Sequence, residues 1–294
     1  MQSILEIKNL VKKFPGVNAV NGISFSIDQG TCFGLLGPNG AGKTTTIEMI
    51  EGIMSPTSGE ILYKGKTRGK SFKQEIGIQF QNTQLPESLT IGETLTAFRN
   101  LYDRKADLDV IIKTCQLESI WERDNVKISG GQKQRLLLSM ALANEPEIVF
   151  LDEPTTGLDP QARRHVWEIV RQIKSNNRTV ILTTHYMEEA QILCDKIAII
   201  DHGKIIVLGA PLELINKHCK KSLIIIQENI DEKKLIGFKW PYIKKQNEFE
   251  IQAEEVNECI EELIKRKISL SKMTVRTMNL EDLFLKLTGK ELRN

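Results

Sequence analysis

The spacing of apolar residues near the start of the chain predicts two half-buried strands. Apolar side chains alternate with polar ones at Leu5 and Ile7, and again over residues 23–27. A period of two residues is typical of strands that place one face against a core. The dipeptide Pro15-Gly16 between the two stretches favours a turn. We therefore expect an antiparallel β flank.

A second set of patterns predicts a parallel α/β core. The apolar run Cys32–Leu36 precedes a glycine-rich loop and a segment with helical spacing at Ile47 and Ile50, which gives a strand, a loop and a helix. Apolar runs at residues 148–151 and 180–183 lie on either side of a helical stretch. Buried strands that alternate with helices are typical of a parallel sheet.

Between residues 85 and 127 the pattern becomes helical and contains no strand candidate. Its apolar positions are Leu95, Phe98 and Leu101, followed by Ile111, Ile112 and Cys115. This spacing matches amphipathic helices. We expect a helical subdomain over about residues 85–145.

The spacing of apolar residues changes again after residues 209–211 and predicts short strands and an amphipathic helix. This helix carries Val256, Ile260, Leu263 and Ile264 on one face. The last predicted helix has Asn279 as its cap and Gly289 as its end; its buried positions are Leu280, Leu283, Phe284 and Leu287. We expect a large domain over residues 1–215 and a smaller α+β domain over residues 216–294.

Composition narrows the class of protein. Of the 294 residues, 40% are hydrophobic and 27% are charged, and the net charge is only +2. These values are typical of a soluble globular protein and do not favour a nucleic-acid partner. The five cysteines are scattered and contain no C-x-x-C pair, which indicates reduced thiols in the cytosol. Because we find neither a leader nor an apolar run of about 18 residues, we expect any membrane role to involve another chain.

A phosphate-binding loop follows the first buried strand. The pattern G-x-x-x-x-G-K-[ST] is met by Gly37, Pro38, Asn39, Gly40, Ala41, Gly42, Lys43 and Thr44, with Thr45 next. Glycines let backbone N–H groups surround phosphates, and the start of a helix adds a positive dipole end. We expect Lys43 to pair with the β- and γ-phosphates of ATP and Thr44 to bind Mg²⁺.

Two adjacent carboxylates, Asp152 and Glu153, end the apolar strand at residues 148–151. We assign Asp152 to Mg²⁺ and Glu153 to the general base that polarises the attacking water. Without the phosphate loop, two solvated carboxylates at a strand end would be the simpler interpretation.

The run Ser129, Gly130, Gly131 and Gln132 precedes a segment with high helix propensity. A hydroxyl, small residues and a helix start together favour a second anion site. Because one γ-phosphate does not need two such sites in one subunit, we expect this surface to complete the site of a second subunit. The alternative is a helix cap followed by a flexible turn.

With these motifs together, the chain resembles the ATP-binding subunit of an ABC transporter over residues 4–214. Gly130 and Gly131, followed by Gln132, Gln134 and Arg135, resemble the signature sequence of that family. The resemblance implies a P-loop ATPase core with a parallel sheet, an antiparallel β flank and a helical subdomain. The cofactors it implies are ATP and Mg²⁺.

The resemblance also assigns roles to residues that the patterns alone leave open. Gln81 matches the glutamine that contacts Mg²⁺ and water, with Gln79 as the second candidate and a polar strand end as the plain alternative. Asp159 matches the aspartate that links the two sites of the dimer. His185 matches the histidine that contacts the γ-phosphate, although a lone histidine after a strand is more often structural. Phe14 occupies the place of the aromatic residue that stacks on adenine, where a core phenylalanine is the alternative.

The tail resembles the C-terminal extension of drug- and antibiotic-resistance exporters of the ABC-2 type. Residues 280–284, followed by Leu287 and Gly289, carry this similarity. The nucleotide motifs and the family resemblance together imply an ATPase that dimerises around MgATP and powers transport through a separate membrane permease, from the cytoplasmic face of the cell membrane. The tail similarity favours export as the direction. The alternatives are a related ATPase of DNA repair or translation, a small-molecule kinase, and a nucleotide-dependent regulatory module without turnover.

Overall fold

The computed structural model describes residues 2–81, 83–219, 221–228 and 230–289, with the backbone alone at residue 232. The contacts divide the chain into two compact units, the first ending at Pro211 and the second running over Leu212–Gly289. Among the described residues, no helix is both long and apolar enough to cross a membrane.

The first unit contains strands and helices that we number in chain order. They are β1 (Ser3–Phe14), β2 (Val17–Asp28), β3 (Cys32–Leu36), α1 (Lys43–Glu51), β4 (Ser58–Tyr63), β5 (Lys66–Thr67), α2 (Phe72–Glu75), β6 (Ile76–Gln79), α3 (Ile91–Arg99), α4 (Leu108–Thr114), α5 (Gly130–Ala141), β7 (Ile148–Asp152), α6 (Pro160–Ser175), β8 (Thr179–Thr183), α7 (Met187–Leu193), β9 (Lys196–Asp201) and β10 (Lys204–Gly209).

The central sheet of this unit has the strand order β10-β9-β3-β8-β7-β6. Strands β9, β3, β8, β7 and β6 run parallel, and β10 pairs antiparallel with β9 at one edge. Every residue of β3 and β8 is buried, as expected for strands covered on both faces. The parallel pairing brings the carboxyl ends of β3, β7 and β8 to one edge of the sheet, where ligands bind in open α/β folds.

A separate antiparallel sheet with the order β2-β1-β4-β5 forms the predicted flank. Its inner face packs against the central sheet: the rings of Phe25 and Phe33 stack with centroids 5.1 Å apart and an interplanar angle of 2°. Around them, Leu5, Leu10 and Phe150 belong to one buried apolar cluster. The two sheets therefore share a core.

The predicted helical subdomain is confirmed. Helix α3 begins with a capping box in which Thr90 and Glu93 bond each other's backbone N–H groups. An isolated bridge between Thr90 and Asp124 closes the segment between α3 and the start of α5. Leu101, predicted to be apolar and helical, lies beyond the end of α3 and is 74% exposed.

The second unit is an antiparallel sheet with helices, as predicted. Its elements are α8 (Pro211–His218), β11 (Ser222–Ile226), β12 (Tyr242–Lys245), β13 (Glu248–Ala253), α9 (Val256–Lys265), β14 (Met273–Thr277) and α10 (Leu280–Thr288). The strand order is β12-β13-β11-β14. Ile224, Phe249, Ile251 and Leu263 form its apolar core.

One predicted core position in α9 is wrong. Ile264 is 58% exposed, whereas Cys259 and Leu263 are fully buried. Residues four apart lie on the same face of a helix, so the pair Cys259 and Leu263 takes the inner position and turns Ile264 toward solvent. The predicted ends of α10 are confirmed: Asn279 caps the helix through the N–H of Asp282, and Gly289 follows it with φ of 62°. Within α10, Leu280, Leu283 and Phe284 are buried, while Leu287 is only half-buried.

We predict that Asn279→Ala destabilises α10 by about 1 kcal/mol, since the helix loses the side-chain acceptor for an N–H in its first turn. Amide protons of α10 should then exchange roughly five-fold faster, measured by mass spectrometry. The control is Asn257→Ala, the same substitution at an exposed position of α9. Equal exchange in α10 of wild type and Asn279→Ala would contradict a stabilising cap.

Candidate active site

The predicted phosphate loop connects β3 to α1 and is held in a conformation that requires glycine. Gly42 has φ of 102°, and a Cβ atom at this position would lie 2.2 Å from the carbonyl oxygen of Ala19. Any other side chain would therefore displace the backbone. Helix α1 starts at the next residue, Lys43, so the unpaired N–H groups of its first turn lie beside the loop.

The Lys43 ammonium lies inside this loop. Its Nζ donates hydrogen bonds to the carbonyl oxygens of Gly37, at 2.7 Å, and Pro38, at 3.2 Å. Burial lowers the pKa of Lys43, and the carboxylates of Glu153 and Asp152 oppose that shift. The lysine is thus a partly desolvated cation that faces two carboxylates.

A cavity of about 870 Å³ opens over the loop and the neighbouring strand ends. The predicted site residues that line it are Asn39, Gly40, Gly42, Lys43, Thr44, Thr45, Gln81, Asp152, Glu153 and His185. Gly37, Pro38 and Ala41 belong to the same loop, but they are buried and do not line the cavity. The fold therefore gathers at one cavity residues that lie far apart in the sequence.

Oxygen donors suited to a magnesium ion meet in this cavity. Thr44 supplies a hydroxyl, Gln81 an amide oxygen and Asp152 a carboxylate. The Thr183 hydroxyl donates to Oδ1 of Asp152 and thereby orients it. Mg²⁺ prefers such hard oxygen ligands together with substrate phosphates, so these residues fit the ion.

The side chain of Glu153 makes several polar contacts within the cavity. Its Oε2 accepts hydrogen bonds from Nε2 of Gln81 at 2.9 Å and Oγ1 of Thr156 at 3.1 Å, and lies 3.3 Å from Nδ1 of His185. The hydrogen bond from His185 is the largest interaction that lowers the pKa of Glu153, against the opposing effect of burial. Glu153 is therefore held as a carboxylate that can accept a proton.

His185 is fixed from its other side by an aromatic contact. The rings of His185 and Tyr186 lie 4.1 Å apart, and the guanidinium of Arg163 lies 3.9 Å from the centre of the Tyr186 ring. Arg163 belongs to α6, so this helix contacts the loop that carries His185.

The structure distinguishes the two candidate glutamines. Gln79 is the last residue of β6 and is 2% exposed, and its side-chain amide finds no hydrogen-bond partner among the described residues. Gln81 lies two residues beyond, lines the cavity and bonds Glu153. The geometry favours Gln81 as the residue that contacts the nucleotide region.

Phe14 is not among the residues that line the cavity, but its strand partner is one of them. It is 41% exposed, which does not match the alternative of a core phenylalanine, and it pairs across the β1–β2 turn with Val17, which lines the cavity. Nζ of Lys12 lies 5.3 Å from the centre of the Phe14 ring. An exposed ring at this position is available for stacking.

Ser129, Gly131, Gln132 and Asp159 line a different cavity of about 220 Å³. Ser129 caps α5 by a capping box, accepting from the N–H of Gln132 at 3.3 Å while Gln132 accepts from the N–H of Ser129 at 3.0 Å. The helix cap of the alternative interpretation is therefore present, but helix α5 follows it directly instead of a flexible turn. It is compatible with an anion site, since a hydroxyl that accepts one hydrogen bond retains its own proton to donate.

Helices α5 and α6 meet closely at their first turns. A Cβ atom on Gly131 would lie 2.9 Å from Cβ of Ala162, and one on Gly130 would contact Leu158. Asp159 caps α6, accepting from the N–H groups of Gln161 and Ala162 at 2.9 Å each. Thus the Ser129–Gln132 surface and the start of α6 form one packed unit.

Several residues of the main cavity were not predicted from the sequence, among them Thr156, Thr183, Tyr186 and Gly203. Thr183 pairs with Asp152 across the parallel strands β7 and β8, and its position at a strand end was the available signal. His202, which matched no motif, lines the cavity while remaining largely exposed.

Comparison with known proteins identifies the family. A sequence profile for ABC transporters matches residues 20–156. Over 99% of this chain and 98% of the relative, the sequence is 36% identical to Nod factor export ATP-binding protein I of Burkholderia lata. It is also 36% identical to the linearmycin resistance ATP-binding protein of Bacillus subtilis, over 99% of this chain and 100% of that protein.

This chain belongs to the ATP-binding subunits of ABC transporters. As a member of that family it is an ATP-binding and ATP-hydrolysing protein. The predicted family and fold class are confirmed.

Solved structures give the same fold. The structure of cbiO1 from Clostridium perfringens, part of the ABC transporter complex cbiONQ, matches with a TM-score of 0.67 and 27% identity over 74% of this chain and 92% of that chain. A dimeric ATP-binding cassette bound to ADP and Pi in a post-hydrolysis state matches with a TM-score of 0.60 and 24% identity over 70% of this chain and 98% of that chain. The latter likeness concerns the fold.

We predict that His185→Ala raises the pKa of Glu153, because the variant loses the interaction that lowers that pKa most. The Glu153 carboxylate should then take up its proton at higher pH than in wild type. The measurement is a carbon-13 titration of the glutamate carboxyl groups, with the Glu153 signal assigned through Glu153→Gln. His165→Ala, which changes an exposed histidine of α6, serves as the control. An unchanged titration in His185→Ala would mean that the other contacts of Glu153 set its pKa.

Proposed function

We propose that this chain powers an exporter: two copies close around MgATP, and their closing and opening drive a separate membrane permease. The observation that carries the proposal is the separation of the two predicted anion sites. The phosphate loop, Glu153 and His185 share one cavity, while Ser129, Gly131 and Gln132 line another. Two copies in head-to-tail contact would place the second surface of each copy over the first surface of the other.

Binding of ATP would begin with an exchange of partners at Lys43. Its hydrogen bonds to the carbonyl oxygens of Gly37 and Pro38 would be replaced by charge-assisted bonds to β- and γ-phosphate oxygens, which are stronger. Thr44, Gln81 and Asp152 are the residues that would hold Mg²⁺, which neutralises phosphate charge when bound. Phe14, whose strand partner Val17 lines the cavity, would stack on the adenine.

Hydrolysis would proceed at the end of the loop that carries Glu153. We assign Glu153 as the general base for water, because it is a carboxylate with three polar contacts that fix its Oε2 atom. His185 and Gln81 orient the water and the γ-phosphate from either side. His185 and Gln81 both contact Glu153 directly. This arrangement favours an ATPase that turns over nucleotide over a regulatory module that only binds it.

The γ-phosphate would hold the dimer shut. Ser129, Gly130, Gly131 and Gln132 at the start of α5 would donate to it from the second copy, and Asp159 would link the two sites. Loss of this charge after hydrolysis removes what both surfaces recognise, so the dimer opens. A permease that contacts the helical subdomain would convert this cycle into alternating access.

Export and location rest on similarity. The two relatives named above are an export protein and a resistance protein, and they match over the whole length of this chain. This supports a nucleotide-binding domain over residues 1–215, an accessory domain over residues 216–294, and a place on the cytoplasmic face of the cell membrane. The permease and a second copy, or a related ATPase, are the proposed partners, with no role for nucleic acid.

We predict that Lys43→Ala weakens ATP binding roughly 10- to 100-fold, the range expected when a hydrogen bond to a charged group is lost. Titration of a fluorescent ATP analogue measures this affinity. Lys66→Ala, at an exposed position of β5, should bind as wild type does. Unchanged affinity of Lys43→Ala for ATP would show that the phosphate loop is not part of the nucleotide site.

We predict that Glu153→Gln binds ATP but lowers the rate of hydrolysis at least 100-fold, since general-base catalysis contributes about 10²- to 10⁴-fold. With MgATP this variant should accumulate as a dimer, measured by light scattering on the purified chain, and should remain a monomer without nucleotide.

Two outcomes would contradict the proposal. Hydrolysis by Glu153→Gln at the wild-type rate would exclude Glu153 as the base. A variant that binds MgATP and stays monomeric at high protein concentration would exclude a site that two copies of this chain share by themselves.

A further inference from the structure

Glu189 is a buried acid in the first turn of α7, with a relative exposure of 0%. A carboxylate is costly to bury unless hydrogen bonds replace its water shell. Here Oε1 accepts two hydrogen bonds, from Oγ1 of Thr155 at 2.8 Å and from Nε1 of Trp167 at 2.7 Å. The phosphate-loop cavity, as lined by the described residues, does not include Glu189.

Glu189 is joined to the segments that carry both hydrolytic residues. Its partner Thr155 lies two residues after Glu153, and the neighbouring Thr156 donates to Oε2 of Glu153. Glu189 itself lies four residues after His185, in the helix α7 that follows the His185 loop. Burial raises the pKa of Glu189, and the hydrogen bonds from Thr155 and Trp167 oppose that rise. Glu189 thus connects the segment after His185, to which it belongs, with the segment after Glu153.

Helix α6 is the third segment tied to this group. Trp167 of α6 donates to Glu189, and Arg163, one turn earlier, stacks on Tyr186, which contacts the His185 ring. The charge of Arg163 also lowers the pKa of Glu189. The same helix starts at the residues that pack against Gly131. The position of α6 and the geometry of the Glu153–His185 pair are therefore linked through Glu189.

We propose that Glu189 is a positioning residue that holds Glu153 and His185 at their working distance and ties both to helix α6. The proposal rests on the hydrolytic roles given to Glu153 and His185 above. Glu189 itself contacts neither nucleotide phosphate nor water in this mechanism. Its contribution is to the geometry of the 3.3 Å contact between Oε2 of Glu153 and Nδ1 of His185.

The test compares Glu189→Ala with Glu189→Gln. The alanine variant loses both hydrogen bonds, so kcat should fall roughly 10- to 100-fold, as small displacements of catalytic groups do. Its KM and its affinity for the ATP analogue should stay within about two-fold, because the phosphate loop is unchanged. The glutamine variant keeps an amide oxygen that accepts from Thr155 and Trp167, so its kcat should remain within a few-fold of wild type. Glu188→Ala, at the exposed neighbouring position of α7, is the matched control and should behave as wild type.

Milder variants keep the test decisive if Glu189→Ala fails to fold. Thr155→Val and Trp167→Phe each remove one donor while keeping the bulk of the side chain. Each should lower kcat several-fold without changing ATP affinity. If kcat of the folded protein is unchanged in all variants and only the melting temperature falls, Glu189 has a structural role alone and the proposal is wrong. Failure of the proposed function would be seen in a different measurement, as hydrolysis by Glu153→Gln at the wild-type rate.

Discussion

The parallel register of β3, β7 and β8 is the constraint on which the site depends. Val180 and Ile181 of β8 pair with Cys32 and Phe33 of β3, and Thr183 pairs with Asp152 of β7. In this register the phosphate loop, the carboxylates and the His185 loop leave the sheet side by side. A slip of one residue in β7 would turn Asp152 to the opposite face and separate it from Thr183.

This register also determines which charged groups meet in the cavity. Lys43 faces the two carboxylates of Asp152 and Glu153. The cavity thus already holds two carboxylates before a phosphate arrives. A polyphosphate adds several negative charges, so Lys43 and the α1 dipole need additional positive partners. A divalent cation in the same copy and a helix start from a second copy both supply such partners, which explains why one site would need both.

Contiguous motifs were predictable from the sequence, and contacts between distant segments were not. The phosphate loop, the Asp152-Glu153 pair and the α5 cap are each a few neighbouring residues whose chemistry is local. The β9–β10 hairpin and the short β4–β5 pair went unpredicted, since an edge hairpin needs its neighbouring strand to be recognised. Gln79 and Gln81 could not be separated by alternation, because residues two apart point to the same side of a strand. The end of β6 at Gln79 decides between them, and that end is set by pairing with β7.

The structure is compatible with the proposed double use of the Ser129–Gln132 surface, as a helix cap and as a phosphate site. The hydroxyl oxygen of Ser129 and the amide oxygen of Gln132 are used to satisfy N–H groups at the start of α5. These bonds consume acceptors, whereas an anion needs donors, so the capping box leaves the Ser129 proton and other first-turn N–H groups for a phosphate. Capping also fixes the direction of those donors before any ligand binds, which reduces the entropy lost on binding. Because Gly131 lets α5 lie directly on Ala162 of α6, a force on this surface would be transmitted to the helix that contacts Tyr186 and Glu189. In the proposed dimer, recognition of one nucleotide and the geometry of the hydrolytic residues at the other would then depend on the same pair of helices.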